Sequence, residues 1–205
     1  SRKTIALFTI RTFFIRLFYN YNNLFGEGLC YCLIPFIKNS CDPENRDNFI
    51  RKHLKFFNTN EYLSGFALGI VMNLELKKDD EFLDKAKTIL SSNLGAIGDK
   101  LINQLILPIL ILVALNKFVS SDFRLDNCAV IVILCELFVF NIFNFSIRYY
   151  GIKSGFEKGI DSIKIFKSSS YKKILLYMTL LRNFLIIILI TNLFIYSNIL
   201  LFFSN

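Results

Sequence analysis

Cys128-Ala129-Val130-Ile131-Val132-Ile133-Leu134-Cys135-Glu136-Leu137-Phe138-Val139-Phe140-Asn141-Ile142-Phe143-Asn144-Phe145-Ser146-Ile147 is long enough to cross a bilayer core, which takes about 20 helical residues. A single carboxylate, Glu136, stands near its centre. Apolar runs lie on both sides of it. Leu101 to Asn116 carries Pro108 in its middle and is short for a straight span. Ile174 to Phe203, broken by Arg182-Asn183 and Thr191-Asn192, reads as one tilted span with a tail or as a span plus a re-entrant piece. The whole chain has 205 residues, 54% of them hydrophobic, with 23 Phe and a mean hydropathy of +0.47. That apolar mass exceeds what a soluble domain of this length uses. The sequence therefore predicts an all-α membrane protein: an amphipathic and re-entrant helical N-terminal half, residues 1–100, then three or four transmembrane or re-entrant helices in residues 101–205.

Charge indicates orientation more than a ligand. Between 148 and 173, seven lysines and arginines stand against Glu157 and Asp161, a net charge of +5. The positive-inside rule places this expected loop in the cytoplasm. It supplies most of the chain's +8, so the basic balance reports topology and not nucleic acid, for which interleaved exposed aromatics would be expected. Arg11 and Arg16 interrupt the first apolar run and no small-residue cleavage site follows, so this segment is expected to stay in the mature chain. Ile5 to Tyr19 can lie in the interface with both arginines snorkelling. The five cysteines are odd in number and form no CxxC pair, so neither a disulfide framework nor a zinc site is indicated, and no metal or other cofactor is expected. One histidine, no metal cluster and no nucleophile elbow argue against an independent enzyme.

Polar groups gather at two places in the first half. Asp42-Pro43-Glu44-Asn45 is a turn before a helix expected over Arg46 to Phe57. Its end, His53-Leu54-Lys55-Phe56-Phe57-Asn58-Thr59, combines the only histidine with an aromatic pair, an amide and a hydroxyl. Sugar sites need such donors and acceptors beside an aromatic wall; the plain alternative is a helix C-terminal turn. Leu94-Gly95-Ala96-Ile97-Gly98-Asp99 precedes an apolar run. Asp99 is either the N-cap of a helix from Lys100 or a carboxylate kept at membrane depth for a ligand. Gly65 and Gly69 share a helical face that admits another backbone, and Gly151, Gly155 and Gly159 repeat at four-residue spacing. Lys77 to Lys87 reads as a solvated surface helix. Glu136 and Arg182, costly alone in a membrane, are expected to pair with each other or across a subunit interface.

Four tracts carry a resemblance. Arg11-Thr12-Phe13-Phe14 with Tyr19 to Asn22, Gly26 and Tyr31 to Pro35 resembles the opening R-S-F-x-x-Q-x-S-F-N-Y-E-R-M-Q-x-x-G of the IID component of mannose/fructose/sorbose-family sugar phosphotransferase systems. His53 to Thr59 resembles that family's H-L-E-F-F-N-T-H-P, Leu94 to Asp99 its M-G-P-L-A-G-I-G-D-S, and Tyr150-Gly151 with Gly155 a later Y-x-x-G tract. Order and spacing agree over about residues 8–160. The chain departs from the pattern at Arg16, Lys55, Asn60, Asn93 and Lys100. The resemblance implies a membrane subunit that builds a sugar path with a IIC partner, in complexes that are trimers of heterodimers. Phosphoryl groups would arrive from soluble IIA and IIB phosphocarrier proteins, so no phosphoryl-accepting residue is expected here. It implies a hexose-type substrate lined by His53, Asn58, Thr59, Gly95, Gly98 and Asp99, in a bacterial plasma membrane. A non-transporting membrane scaffold that keeps the family fold is the second reading.

Overall fold

A computed structural model describes residues 2–78 and 80–204, which form eight α-helices. These are α1 (Arg2–Phe13), α2 (Gly26–Ser40), α3 (Arg46–His53), α4 (Ser64–Lys77), α5 (Asp80–Gly98), α6 (Leu107–Ser120), α7 (Asn127–Lys158) and α8 (Ser169–Ser204). A π-helical tract, Asp99–Ile106, joins α5 to α6 without a break. Three helical stretches, Glu81–Ser120, Asn127–Lys167 and Ser169–Asn198, are long and apolar enough to cross a membrane. The all-α membrane architecture expected from the apolar runs is thus present. The chain forms two compact units, Ser1–Asp99 with Phe143–Lys167 and Lys100–Ile142 with Ser168–Asn205.

The first unit is built around α4. Phe66, Ala67, Leu68, Ile70 and Val71 are each at most 1% exposed, as befits a helix that is apolar on every side. Its glycine face meets the glycine stripe of α7. A Cβ on Gly155 would come within 2.8 Å of Ile70 N and Phe66 O, and one on Gly69 would overlap Ile152 O. Only backbone can occupy that space, which is why both four-residue glycine spacings belong here. On α5, Leu83, Ala86, Leu90 and Leu94 are buried on one face.

Several local expectations are corrected. The helix expected to run to Phe57 ends at His53, because Phe57 pairs instead with the preceding segment: its N–H donates to Asn23 O at 3.2 Å and its carbonyl accepts from Phe25 N–H at 2.8 Å. Lys77 to Lys87 is not one solvated helix. Lys78 turns left-handed at φ 56°, and Lys87 is buried, its Nζ donating to Lys52 O at 3.1 Å. Arg11 donates to Tyr31 O at 2.9 Å and lies over the Tyr31 ring, and the largely exposed Arg16 pairs with Glu61 at 2.8 Å. The basic segment 148–173 is helical except at Ser168. Its first member, Arg148, is 3% exposed; it donates to Asn144 Oδ1 at 2.7 Å, to Thr12 O at the end of α1 and to Ser64 Oγ. That geometry satisfies an orphan helix-end carbonyl.

The second unit is an apolar helical assembly. Asn116 on α6 donates to Leu185 O on α8 at 3.1 Å, and Phe123 packs edge-on against Tyr196. Ile131, Leu134 and Phe138 are more than half exposed, the outward apolar surface that a bilayer covers. The run from Ile174 belongs to one continuous helix of 36 residues, about 54 Å long at 1.5 Å per residue; no re-entrant break occurs there. Glu136 and Arg182 do not pair. Arg182 donates to Gln104 O at 3.1 Å and to Asn183 Oδ1. Glu136 Oε1 is buried without a hydrogen-bond partner, in a cavity of about 280 Å³ lined by Leu110, Ile111, Ile133 and Leu137.

Candidate functional site

Departure of the chain from helix after His53 sets the site. Phe57 is locked into its bridge with Leu24 and is 1% exposed, so Asn58, Thr59 and Asn60 follow in non-helical conformation alongside the end of α5. Asn58 is exposed, and its N–H donates to Ser91 Oγ at 3.1 Å. Lys55 pairs with Asp84 of α5 at 2.8 Å, a solvent-exposed contact worth at most about 1 kcal/mol that tacks the same segment down.

Asn60 joins the two motifs. Its Nδ2 donates to Asp99 Oδ1 at 3.0 Å, and its Oδ1 accepts from Tyr62 N–H at 3.1 Å, capping the short turn Glu61–Leu63. Gly98 makes this approach possible: a Cβ there would overlap Cβ and Cγ of Asn60. Gly95 is different, since a Cβ at that position meets nothing within 4 Å. Asp99 is exposed and is not an N-cap; it lies inside a continuous helical tract, as the first residue of the π-helical segment, a distortion that clusters at functional sites. Thr59 is 4% exposed and its Oγ1 has no hydrogen-bond partner. An orphaned buried hydroxyl of this kind calls for explanation in any fold.

His53 stands apart from that group. It is fully buried, its ring packs on Phe49 at 4.5 Å, and its Nε2 lies 2.8 Å from Glu75 Oε1. Lys52 Nζ reaches the same oxygen at 2.8 Å. Burial pushes the His53 pKa down to about 4, against the opposing pull of the Glu75 hydrogen bond. The ring is therefore neutral at pH 7, with Nε2–H donating to Glu75, and Nδ1 is left without a partner. Burial alone would raise the Glu75 carboxyl, but the hydrogen bonds from His53 and Lys52 outweigh it and hold the group below the ordinary carboxylate value. Neutrality of His53 comes first from burial and only secondarily from the neighbouring lysines.

The structure thus brings Asn58, Thr59, Gly98 and Asp99 to one segment-and-helix junction, leaves Gly95 open on α5, and holds His53 in the core of the α3–α4 contact. Sequence reasoning missed Asn60, which it treated as a departure from a family pattern. The available signal was a third polar residue directly after Asn58-Thr59, in a chain with few buried polar groups. Glu75 was missed because nothing local links it to His53, 22 positions earlier.

The family described as "PTS system mannose/fructose/sorbose family IID component" matches residues 1–203. The mannose-specific EIID component of the Escherichia coli phosphotransferase system is 30% identical over 178 residues, covering 80% of this chain and 60% of that protein. A solved chain described only as a membrane protein aligns with a TM-score of 0.74 at 25% identity, over 91% of this chain and 68% of that one. A chain in the cryo-EM structure of the mannose transporter ManYZ with microcin E492 shares the fold, with a TM-score of 0.65 at 23% identity, over 91% of this chain and 68% of that one. The chain spans about 60% of the length of the E. coli relative. Matched along nearly its whole length, this chain belongs to the mannose/fructose/sorbose family of IID components of the sugar phosphotransferase system.

Proposed function

We propose that this chain acts as the IID subunit of a phosphoenolpyruvate-dependent sugar permease, forming a hexose path with a IIC-type membrane subunit while IIA and IIB proteins deliver the phosphoryl group. The observation that carries this reading is the 3.0 Å hydrogen bond from Asn60 to Asp99, supported by Asn58 to Ser91. These contacts hold two polar tracts, far apart in sequence, against the end of α5, within the continuous helical stretch Glu81–Ser120. There Asn58 offers an amide, Thr59 a hydroxyl without a partner, and Asp99 a carboxylate that accepts hydroxyl hydrogens. Gly95 leaves the α5 surface bare, Gly98 lets Asn60 close, and His53 supports the segment from behind without touching sugar. In this reading the phosphoryl chemistry resides in the partner proteins and the subunit contributes binding and passage. The motif-bearing half, 1–100, and the spanning half, 101–205, work in the bacterial plasma membrane in a trimer of heterodimers, with 148–173 facing the cytoplasm.

The test is substrate protection. In a variant with Cys128 and Cys135 replaced by alanine, Asn58→Cys is assembled with a IIC partner and treated with a thiol reagent. Transported hexose should slow labelling at position 58, and a non-transported polyol should not. Equal labelling with and without sugar would show that this junction is off the path and favour a scaffold role.

A further inference from the structure

A second polar cavity, distinct from the Asn60–Asp99 junction, opens where α3 meets the end of α4. It has a volume of about 370 Å³ and is lined by Asn45, Asn48, Phe49, Lys52, Glu75 and Lys78, with Cys41 at its edge. That volume is in the range of small-molecule sites, about 300–1,000 Å³. Positions 45, 48, 49 and 52 follow the i, i+3, i+4, i+7 spacing of one helical face. That face therefore presents two amides, an aromatic ring and an ammonium side by side. Glu75 and Lys78 come from the facing element, three residues apart.

The charges select the ligand. Glu75 Oε1 already takes hydrogen bonds from Lys52 and His53, so its charge is compensated within the wall. Lys78 adds a second ammonium, so among the described lining residues two lysines stand against one glutamate. Lysine suits a phosphate as a point-charge partner, whereas the asparagine amides both donate to and accept from hydroxyls. Lys78 is also held at φ 56°, a left-handed conformation that glycine adopts freely and side chains rarely do. That turn closes the C-terminal end of α4, the Lys78 N–H donating to Glu75 O at 3.2 Å, and leaves the side chain exposed at the cavity wall.

We infer that this cavity binds a phosphate ester bearing neighbouring hydroxyls. Two sources share that chemistry, a soluble sugar phosphate and the headgroup of phosphatidylglycerol. This inference stands independently of the sugar path proposed above.

The full chain is reconstituted in nanodiscs of phosphatidylcholine, or of phosphatidylcholine with phosphatidylglycerol, and titrated with glucose 6-phosphate. Lys78→Gly removes the ammonium while relieving the backbone, so the fold is not put at risk. Asn48→Ala, on an exposed position, is the second variant. Saturable binding of glucose 6-phosphate in phosphatidylcholine, weakened about tenfold by Lys78→Gly and lowered by Asn48→Ala, assigns the site to a soluble ester. Binding seen only as enrichment of phosphatidylglycerol around the wild type, and lost in Lys78→Gly, assigns it to the lipid headgroup. If neither probe binds, or both bind the variants as they bind the wild type, the inference is overturned. Protection of Asn58→Cys by neutral hexose should be unchanged by Lys78→Gly, so the two readings fail separately.

Discussion

Asn60→Ala cuts the side-chain hydrogen bond from Asn60 to Asp99. A hydrogen bond to a charged acceptor is worth about 1.5–3 kcal/mol. The donor here is 6% exposed but Asp99 is open to solvent, which places the bond near the low end, about 1.5 kcal/mol. At 1.36 kcal/mol per decade, releasing the Asp99 carboxylate should lower the initial rate of uptake about tenfold. The variant also loses the Tyr62 N–H acceptor, an N-cap contribution of about 1 kcal/mol. Asn60→Asp separates the two effects: it keeps an acceptor for Tyr62 but sets a carboxylate against Asp99, so uptake should fall further while the fold is retained. The assay is hexose uptake into proteoliposomes containing the partner subunit and the soluble phosphocarriers. The double variant Asn60→Ala with Asp99→Asn should lose little more than either single variant, because contacting residues are not additive. Near-wild-type uptake in both single variants, at wild-type protein levels, would refute the role given to this bond.

Three further outcomes are expected. Gly155→Leu drives a side chain into the backbone of α4, which lies 2.8 Å from a Cβ at that position; overpacking of about 1–3 kcal/mol or more should lower the melting temperature in detergent, and an unchanged melt would mean that α4 and α7 are not in contact. Stability should fall as pH drops from 6.5 toward 4, since the unfolded His53 takes up a proton at 6.5 while the buried ring resists until about 4. The difference is roughly 3 kcal/mol at 1.36 kcal/mol per unit; Glu75, held below its ordinary 4.5, acts in the same direction only under that value, and His53→Gln should flatten the 6.5–4 window in thermal melts. Glu136→Leu should raise the melting temperature of the isolated chain, because it removes a buried oxygen that has no partner and costs about 1–3 kcal/mol; a lower melting temperature would show that the carboxylate is satisfied.

The spanning helices were legible because a bilayer core demands long apolar runs, and Cys128 to Ile147 meets that demand alone. Both glycine stripes were legible for a similar reason: four-residue spacing fixes a helical face whatever lies opposite. What the stripes could not reveal was each other. The helix expected through Phe57 stops at His53 because Phe57 gains two backbone hydrogen bonds to Asn23 and Phe25, a tertiary pairing invisible to local propensity. Arg148 read as one more positive charge in a solvated loop, yet it is buried against Thr12 O, 136 positions away. Asp99 left two readings open, a cap before an apolar run or a carboxylate kept for a ligand, and the continuous helix excludes the cap. The uninterrupted helix through the π-helical tract makes it a ligand for Asn60 instead. At the site, residue types were legible but partnerships were not, since Glu75 and Asn60 find His53 and Asp99 only through packing.

The most direct test of the account is phosphoenolpyruvate-dependent hexose uptake in proteoliposomes containing a IIC partner and its soluble phosphocarriers, measured with and without this chain. The account predicts accumulation of hexose phosphate only when the chain is present, with a marked loss for Asp99→Asn. Equal accumulation without the chain, or with Asp99→Asn at full wild-type rate, would contradict it.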